Sequence, residues 1–157
     1  MMSTQKQPAA IRRVDRRGAA LVELAIVLPV LILLVAGAID VGQFINVAQV
    51  VNEASRVGAR RATRNTLKNV SEVKTAVQDH VHDAFPNVPT STLDAALAVD
   101  IRNGSGAAPT GGDITTIGSG SSVSVQVAFE YDAVRWVALF TGLKGMSTQT
   151  TTVMRRE

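Results

Sequence analysis

The 157-residue chain contains no cysteine. That excludes a disulfide scaffold, thiolate metal sites and cysteine nucleophiles. The two histidines, His80 and His82, stand two positions apart, so on a helix they face different sides and cannot chelate one metal together. Aromatics are scarce (Phe 4, Tyr 1, Trp 1), so a soluble core has to be built mainly of Val, Ala, Leu and Ile. Only 18% of residues are charged against 46% hydrophobic, which argues against a highly charged disordered chain. No nucleophile elbow, metal-ligand spacing or nucleotide fingerprint occurs. The Gly-, Ser- and Thr-rich stretch from Asn103 to Ser122 lacks the Gly-Lys-Ser/Thr of a phosphate loop and reads as a mobile hairpin connection. We expect no enzymatic activity, no catalytic residue, no cofactor and no bound metal.

The charge that is present is unevenly placed. Lys6, Arg12, Arg13, Arg16 and Arg17 face one acid, Asp15, within residues 1–18, and the remainder of the chain is near neutral. A nucleic-acid-binding domain would instead spread its cations along a folded face, so no nucleic-acid partner is expected. Directly after the basic leader, residues 19–39 read AALVELAIVLPVLILLVAGAI, with Glu23 as the single charge. As a helix this run is about 31 Å long, matching the roughly 30 Å hydrocarbon core of a bilayer. Pro29 removes one backbone bond mid-span, which membrane helices tolerate better than soluble ones. The arginines abutting one end predict a cytoplasmic N-terminus and a body on the far side of the membrane.

Two fates of the span are compatible with these features. Ala36-Gly37-Ala38 supplies the small-x-small site of a secretory signal peptide, which would leave a mature chain starting at Ile39. Against that, the apolar run is long for a signal core and holds a carboxylate. Alternatively, cleavage after Gly18 would free the amine of Ala19 one turn from Glu23, giving that carboxylate a countercharge on its own chain or a neighbour.

The second arrangement resembles the class III signal of type IV prepilins, cut by a prepilin peptidase at the cytoplasmic face. Gly18-Ala19-Ala20-Leu21-Val22-Glu23, then Leu28-Pro29-Val30-Leu31, Gly37-Ala38-Ile39-Asp40-Val41-Gly42 and Asn52-Glu53-Ala54-Ser55-Arg56-Val57-Gly58-Ala59-Arg60-Arg61-Ala62 together resemble the TadE-like family. The closing Val153-Met154-Arg155-Arg156-Glu157 is similar to that family's C-terminal strand. Leu24 stands where the family usually has an aromatic residue after the signal glutamate. The resemblance implies a minor pilin or pseudopilin of a tight-adherence (Tad, Flp) pilus, held as a single-pass precursor in the bacterial inner membrane. It further implies cleavage between Gly18 and Ala19, Glu23 as signal and assembly carboxylate, and Pro29, Asp40, Gly42, Arg56, Gly58 and Arg60 as family-motif helix positions. Its partners would be the lipid bilayer, the prepilin peptidase, other pilins and Tad inner-membrane assembly proteins. The alternative is a single-pass envelope protein anchoring a small ligand-binding domain, which would need a concave apolar pocket in the sheet.

The remaining residues predict the body's architecture. Val41, Phe44, Ile45, Ala48, Val51, Ser55 and Gly58 recur at helical steps, with Gln43, Asn46, Gln49, Asn52, Glu53 and Arg56 largely opposite. One helix from about Ala19 to about Arg64 is expected, its first half in lipid and its second on a soluble sheet. Gly42 and Gly58 either admit a close backbone approach or are tolerated glycines. Arg56, Arg60, Arg61 and Arg64 read as a solvated face favoured by the helix C-terminus, with binding of anionic lipid headgroups or nucleic acid as the alternative. A second helix runs from Ser71 to about Phe85, with Val73, Ala76, Val77, Val81 and Ala84 inward and Pro86 ending it. Strands follow at Leu97–Ile101, Val123–Tyr131 and Ser147–Met154, and a short apolar turn or helix over Val134–Phe140 carries Trp136. The expected fold is α+β and pilin-like: a basic leader (1–18), a transmembrane helix (19–39) and an extracytoplasmic body (40–157), in the order ααβββ.

Overall fold

The structure, a computed structural model, describes residues 15–64, 69–135 and 143–157. Leader residues Arg12 and Arg13, the side chains of Arg16 and Arg17, and Trp136 lie outside the described residues. The fold is α+β: a long N-terminal helix followed by a small antiparallel sheet. Helix α1 spans Asp15–Thr63, 49 residues, and runs through Pro29. It is therefore about 74 Å long, more than twice the thickness of a hydrocarbon core. The side chains of residues 18–35 are exposed, and this end is apolar enough to cross a membrane. No described residue of the body covers it, unlike the core helix of a soluble protein.

From Asp40 onward, α1 lies on the body. Val47, Val51, Ala54, Ala59 and Ala62 are fully buried and share one core with Val73, Val77 and Val81 of α2 (Val70–Ala84). The inward stripe differs from the expected one in its first two turns. Val41 is 46% and Ile45 51% exposed, while Asp40 is buried and Gln43 is half-buried. Apolar character there continues the surface of the exposed apolar half, and the sheet-facing side begins one residue earlier, at Asp40. On α2, Ala84 is exposed, because the helix turns its last residue away as the chain leaves towards Pro86.

The sheet has the order β1-β2-β3, with β1 at Leu97–Asn103, β2 at Ser122–Glu130 and β3 at Ser147–Arg155. Both pairings are antiparallel, with Val125 opposite Ile101 on one side and Thr152 on the other. Val123, Val125, Val127 and Phe129 point to the helices, as their period-two spacing requires. The sheet face of β3 carries Thr148, Thr150, Thr152 and Met154, and α1 packs across it.

Two elements were not expected. A short helix α3 (Thr90–Ala96) precedes β1, opened by Pro89 and burying Leu93 and Ala96. Seven residues are too few to show a helical period, and Pro89 reads equally well as a plain turn. The 104–121 connection contains 3-10 turns at Thr110–Gly112 and Ile114–Thr116, and it is anchored by buried Ile114 and Ile117. The Arg156 guanidinium donates to the carbonyl of Ile114 and, at 2.7 Å, to that of Ile117.

Candidate functional site

Two regions hold the residues singled out in the sequence. The first is the start of α1. Gly18, Ala19, Glu23 and Pro29 are all exposed along one uninterrupted helix. An added Cβ at Gly18 would meet nothing within 4 Å, so the fold of this chain does not require glycine there. Glu23 makes no hydrogen bond or ion pair to a described side chain. An unpaired carboxylate about a turn inside an apolar span is costly and is a functional position by default.

The second region is the junction where α1 enters the body. The Asp40 side chain is fully buried and that of Arg135 only 7% exposed. Arg135 donates twice to the carboxylate, from Nη2 to Oδ2 at 2.8 Å and from Nε to Oδ1 at 3.3 Å. The Tyr131 hydroxyl donates to Asp40 Oδ1 at 2.6 Å, with Gln43 Oε1 3.1 Å away. Gln43 Nε2 in turn donates to the Val134 carbonyl at 2.9 Å. Phe44 closes the group, meeting the Tyr131 ring edge-on with centroids 5.4 Å apart. Both oxygens of the carboxylate are thus occupied, as a buried charge needs. The 3-10 turn Tyr131–Ala133 at the end of β2 delivers the partners, so the pair ties the last turn of the anchor half to the sheet.

Burial, reinforced by the adjoining Asp40 carboxylate, pushes the Tyr131 phenol well above its ordinary value of 10.0. The folded state therefore holds this proton where an unfolded chain would release it. Stability from this group is complete below about pH 10 and falls as pH rises beyond it. A Tyr131→Phe chain should start less stable and show a shallower loss between pH 10 and 11 in denaturant titrations.

The other motif positions separate clearly. Gly42 is exposed and faces open space. Gly58 is buried at the α1–α2 crossing, where a Cβ would lie 2.7 Å from Val77 Cγ2 and 3.1 Å from Val125 Cγ1. Ser55 is buried within hydrogen-bond reach of the Val125 carbonyl (3.1 Å) and Thr152 Oγ1 (2.7 Å), pinning α1 to β2 and β3. Arg56, Arg60 and Arg61 are exposed on the last turns of α1, and exposed Arg64 directly follows it. His82 meets Asp94 at 3.0 Å, while His80 approaches Glu53 at 3.8 Å, so the two rings serve different neighbours.

Sequence reasoning singled out Asp40 but missed Tyr131, Arg135 and Gln43. One signal was available: Asp40 and Arg135 are isolated charges in otherwise apolar surroundings, AGAID and AVRWV. Isolated opposite charges of that kind are candidates for a buried pair.

The geometry defines a class: an α+β body carried on a long N-terminal helix whose exposed apolar half is a candidate membrane anchor. Within that class, residues 18–60 match the family described as TadE-like protein. The matched segment begins at Gly18 and ends two residues past Gly58, so it covers most of α1. It contains Asp40 but neither Tyr131 nor Arg135. Comparison with curated proteins gave no match. Comparison with solved structures gave none either.

Proposed function

We infer that the chain is a minor pilin or pseudopilin that takes part in assembling a Tad-type pilus. It has a structural role and no catalytic one. The observation that carries this reading is the family match starting at Gly18, on a helix whose first half is apolar and uncovered. The basic leader holds the N-terminus in the cytoplasm, the span lies in the inner membrane, and the body stands on the far side. A prepilin peptidase cuts after Gly18, and the exposed apolar half of α1 then packs against helices of other pilins. The open space around Gly18 supports this assignment, since glycine there serves the close approach of another molecule's backbone.

Coexpressed with its peptidase, the wild-type chain should lose the segment ending at Gly18, and Gly18→Leu should remain uncut, as read by intact mass. A mature chain beginning at Ile39 would make the span a secretory signal peptide and end the pilin reading.

Glu23 separates insertion from assembly. Glu23→Leu removes a charge whose transfer into the span costs about 3 kcal/mol, so membrane insertion should be intact or improved. Association with the major pilin, followed by crosslinking in the same cells, should drop, because the carboxylate that pairs with a neighbour's terminal amine is gone. Unchanged crosslinking would leave Glu23 at most a processing signal.

A further inference from the structure

The near end of the body, where α1 leaves the span, carries apolar side chains that the fold leaves uncovered. Two cross-links fix its level. The Ser55 hydroxyl reaches the Val125 carbonyl and Thr152, and the Tyr131 hydroxyl reaches Asp40. Between those contacts α1 covers about 22 Å, and β2 with its closing turn covers about 20 Å. The agreement makes helix and strands nearly parallel, so the sheet ends level with Asp40, one residue beyond the span. The Tyr131 amide donates to the Met146 carbonyl at 3.0 Å, which puts Met146 at that level as well. Met146 closes the turn 143–146, its amide donating to the Leu143 carbonyl at 3.3 Å, and Lys144 stands exposed in that turn. Beyond Ile39, the large apolar side chains exposed among the described residues are Val41, Ile45, Met146 and Val153. All but Val153 belong to the near end. Val41 lies about 3 Å and Ile45 about 9 Å past the end of the span, where the interfacial layer of a bilayer is about 5–8 Å deep. The charged groups at this level are exposed Lys144, Glu130 and Asp132 and the buried Asp40–Arg135 pair.

We propose that this near end is a second lipid-contact surface: Met146 enters the interfacial layer of the bilayer, and Lys144 beside it meets phospholipid phosphates. The inference rests on the membrane anchoring in the proposed function. The occupant is lipid and not another chain, because the surface continues the anchor without a break. Ile39, Val41 and Ile45 are exposed in succession along α1, and Asp40 ties the sheet to the helix with no linker between span and body. A body held in that way cannot lift its near end clear of a headgroup layer about 5–8 Å deep. Apolar side chains gain there by leaving water, and a lysine stem lies along apolar surface while its ammonium stays wet. Glu130 and Asp132 outnumber Lys144, so anionic lipid adds no attraction and the apolar contact carries the binding. A lone helix can tilt and turn in a bilayer, and interfacial anchors set both. Met146 sits on the sheet, whereas Val41 and Ile45 sit on α1. Together these contacts hold the body at one attitude over the membrane.

The absence of cysteine makes the test direct, since one introduced cysteine carries one label. The full chain is reconstituted in phosphatidylcholine vesicles with an environment-sensitive fluorophore at Met146→Cys, Lys144→Cys, Leu31→Cys or Ser119→Cys. Leu31 lies in the span, and exposed Ser119 lies at the far end, beside Gly120, whose amide donates to the Arg156 carbonyl. Nitroxide-bearing acyl chains quench labels in lipid, and acrylamide quenches labels in water. The nitroxide should quench the Met146 label at least about half as strongly as the Leu31 label, and acrylamide should reach it less than it reaches Ser119. Adding Met146→Glu to the Lys144→Cys chain should open that label to acrylamide as fully as the Ser119 label. A Met146 label as open to acrylamide as Ser119, with the Leu31 label in lipid, overturns the proposal. So does a Lys144 label that Met146→Glu leaves unchanged. A Met146 label shielded from acrylamide but untouched by the nitroxide is covered by another copy, which overturns it too. Contact that appears only when phosphatidylglycerol is added makes charge the cause and also overturns it. A Leu31 label outside lipid would instead defeat the anchor itself, so the two failures are told apart.

Discussion

Asp40→Ala is expected to destabilise the body by about 3–5 kcal/mol, the range for breaking a buried ion pair from one side. The loss exceeds that of an exposed pair because Arg135 would keep its charge at 7% side-chain exposure with both carboxylate contacts gone. The Tyr131 hydroxyl would lose its acceptor at 2.6 Å as well. With a total stability of about 5–15 kcal/mol for an ordinary domain, a change of this size unfolds a large share of the molecules near physiological temperature. Denaturant unfolding of the full chain in detergent checks it. Asp40→Leu combined with Arg135→Met should recover much of the loss, since no buried charge is then left alone. A single Asp40→Ala within about 0.5 kcal/mol of the wild type would show that the pair is solvated in practice.

The same pair explains the position of the junction. Apolar residues surround α1 up to Ile39, and a helix of that kind has no preferred face towards a small sheet. Asp40 supplies the preference: only the rotation that points it at Tyr131 and Arg135 keeps its charge neutralised. The apolar half of α1 is thereby joined to the sheet at a fixed angle.

Much of the architecture was legible because it follows from periodicity. The alternation Val123-Val125-Val127-Phe129 and the spacing Val73-Val77-Val81 each name a buried face without tertiary information. The apolar run 19–39 announced itself by length alone. What stayed hidden depends on contacts distant in sequence. Tyr131 and Arg135 acquire meaning only when the chain end of β2 meets Asp40, 91 and 95 residues away. The error over Val41 and Ile45 has a related cause: the periodicity puts apolar residues inward, whereas here polar Asp40 and Gln43 are turned inward by partners about 90 residues away. Helix α3 escaped because its buried residues, Leu93 and Ala96, are only two. The alternatives left open at Gly42 and Gly58 were undecidable from composition, since both are single glycines inside one helix. The structure separates them.

That separation predicts substitutions of opposite sign on one helix. At Gly42 the side facing outward is open, so Gly42→Ala adds helix propensity without a clash and should stabilise by up to about 1 kcal/mol. At Gly58 the same propensity gain meets a wall. The new Cβ would lie 2.7 Å from Val77 Cγ2 and 3.1 Å from Val125 Cγ1, both on fully buried side chains with no long flexible stem to swing aside. Overpacking of this kind costs about 1–3 kcal/mol, so Gly58→Ala should come out destabilising despite its better backbone. Gly58→Leu has to displace α2 outright, and a loss above about 3 kcal/mol is expected, with Val73 and Val77 exposed. Denaturant midpoints of the four chains, wild type included, decide the matter. Val77→Ala offers the control, because it removes the methyl groups the new Cβ strikes. Paired with Gly58→Ala, it should cost less than the two single changes added together. If Gly58→Ala is as favourable as Gly42→Ala, α2 does not pack against α1 at this crossing, and the close approach assigned to Gly58 is wrong.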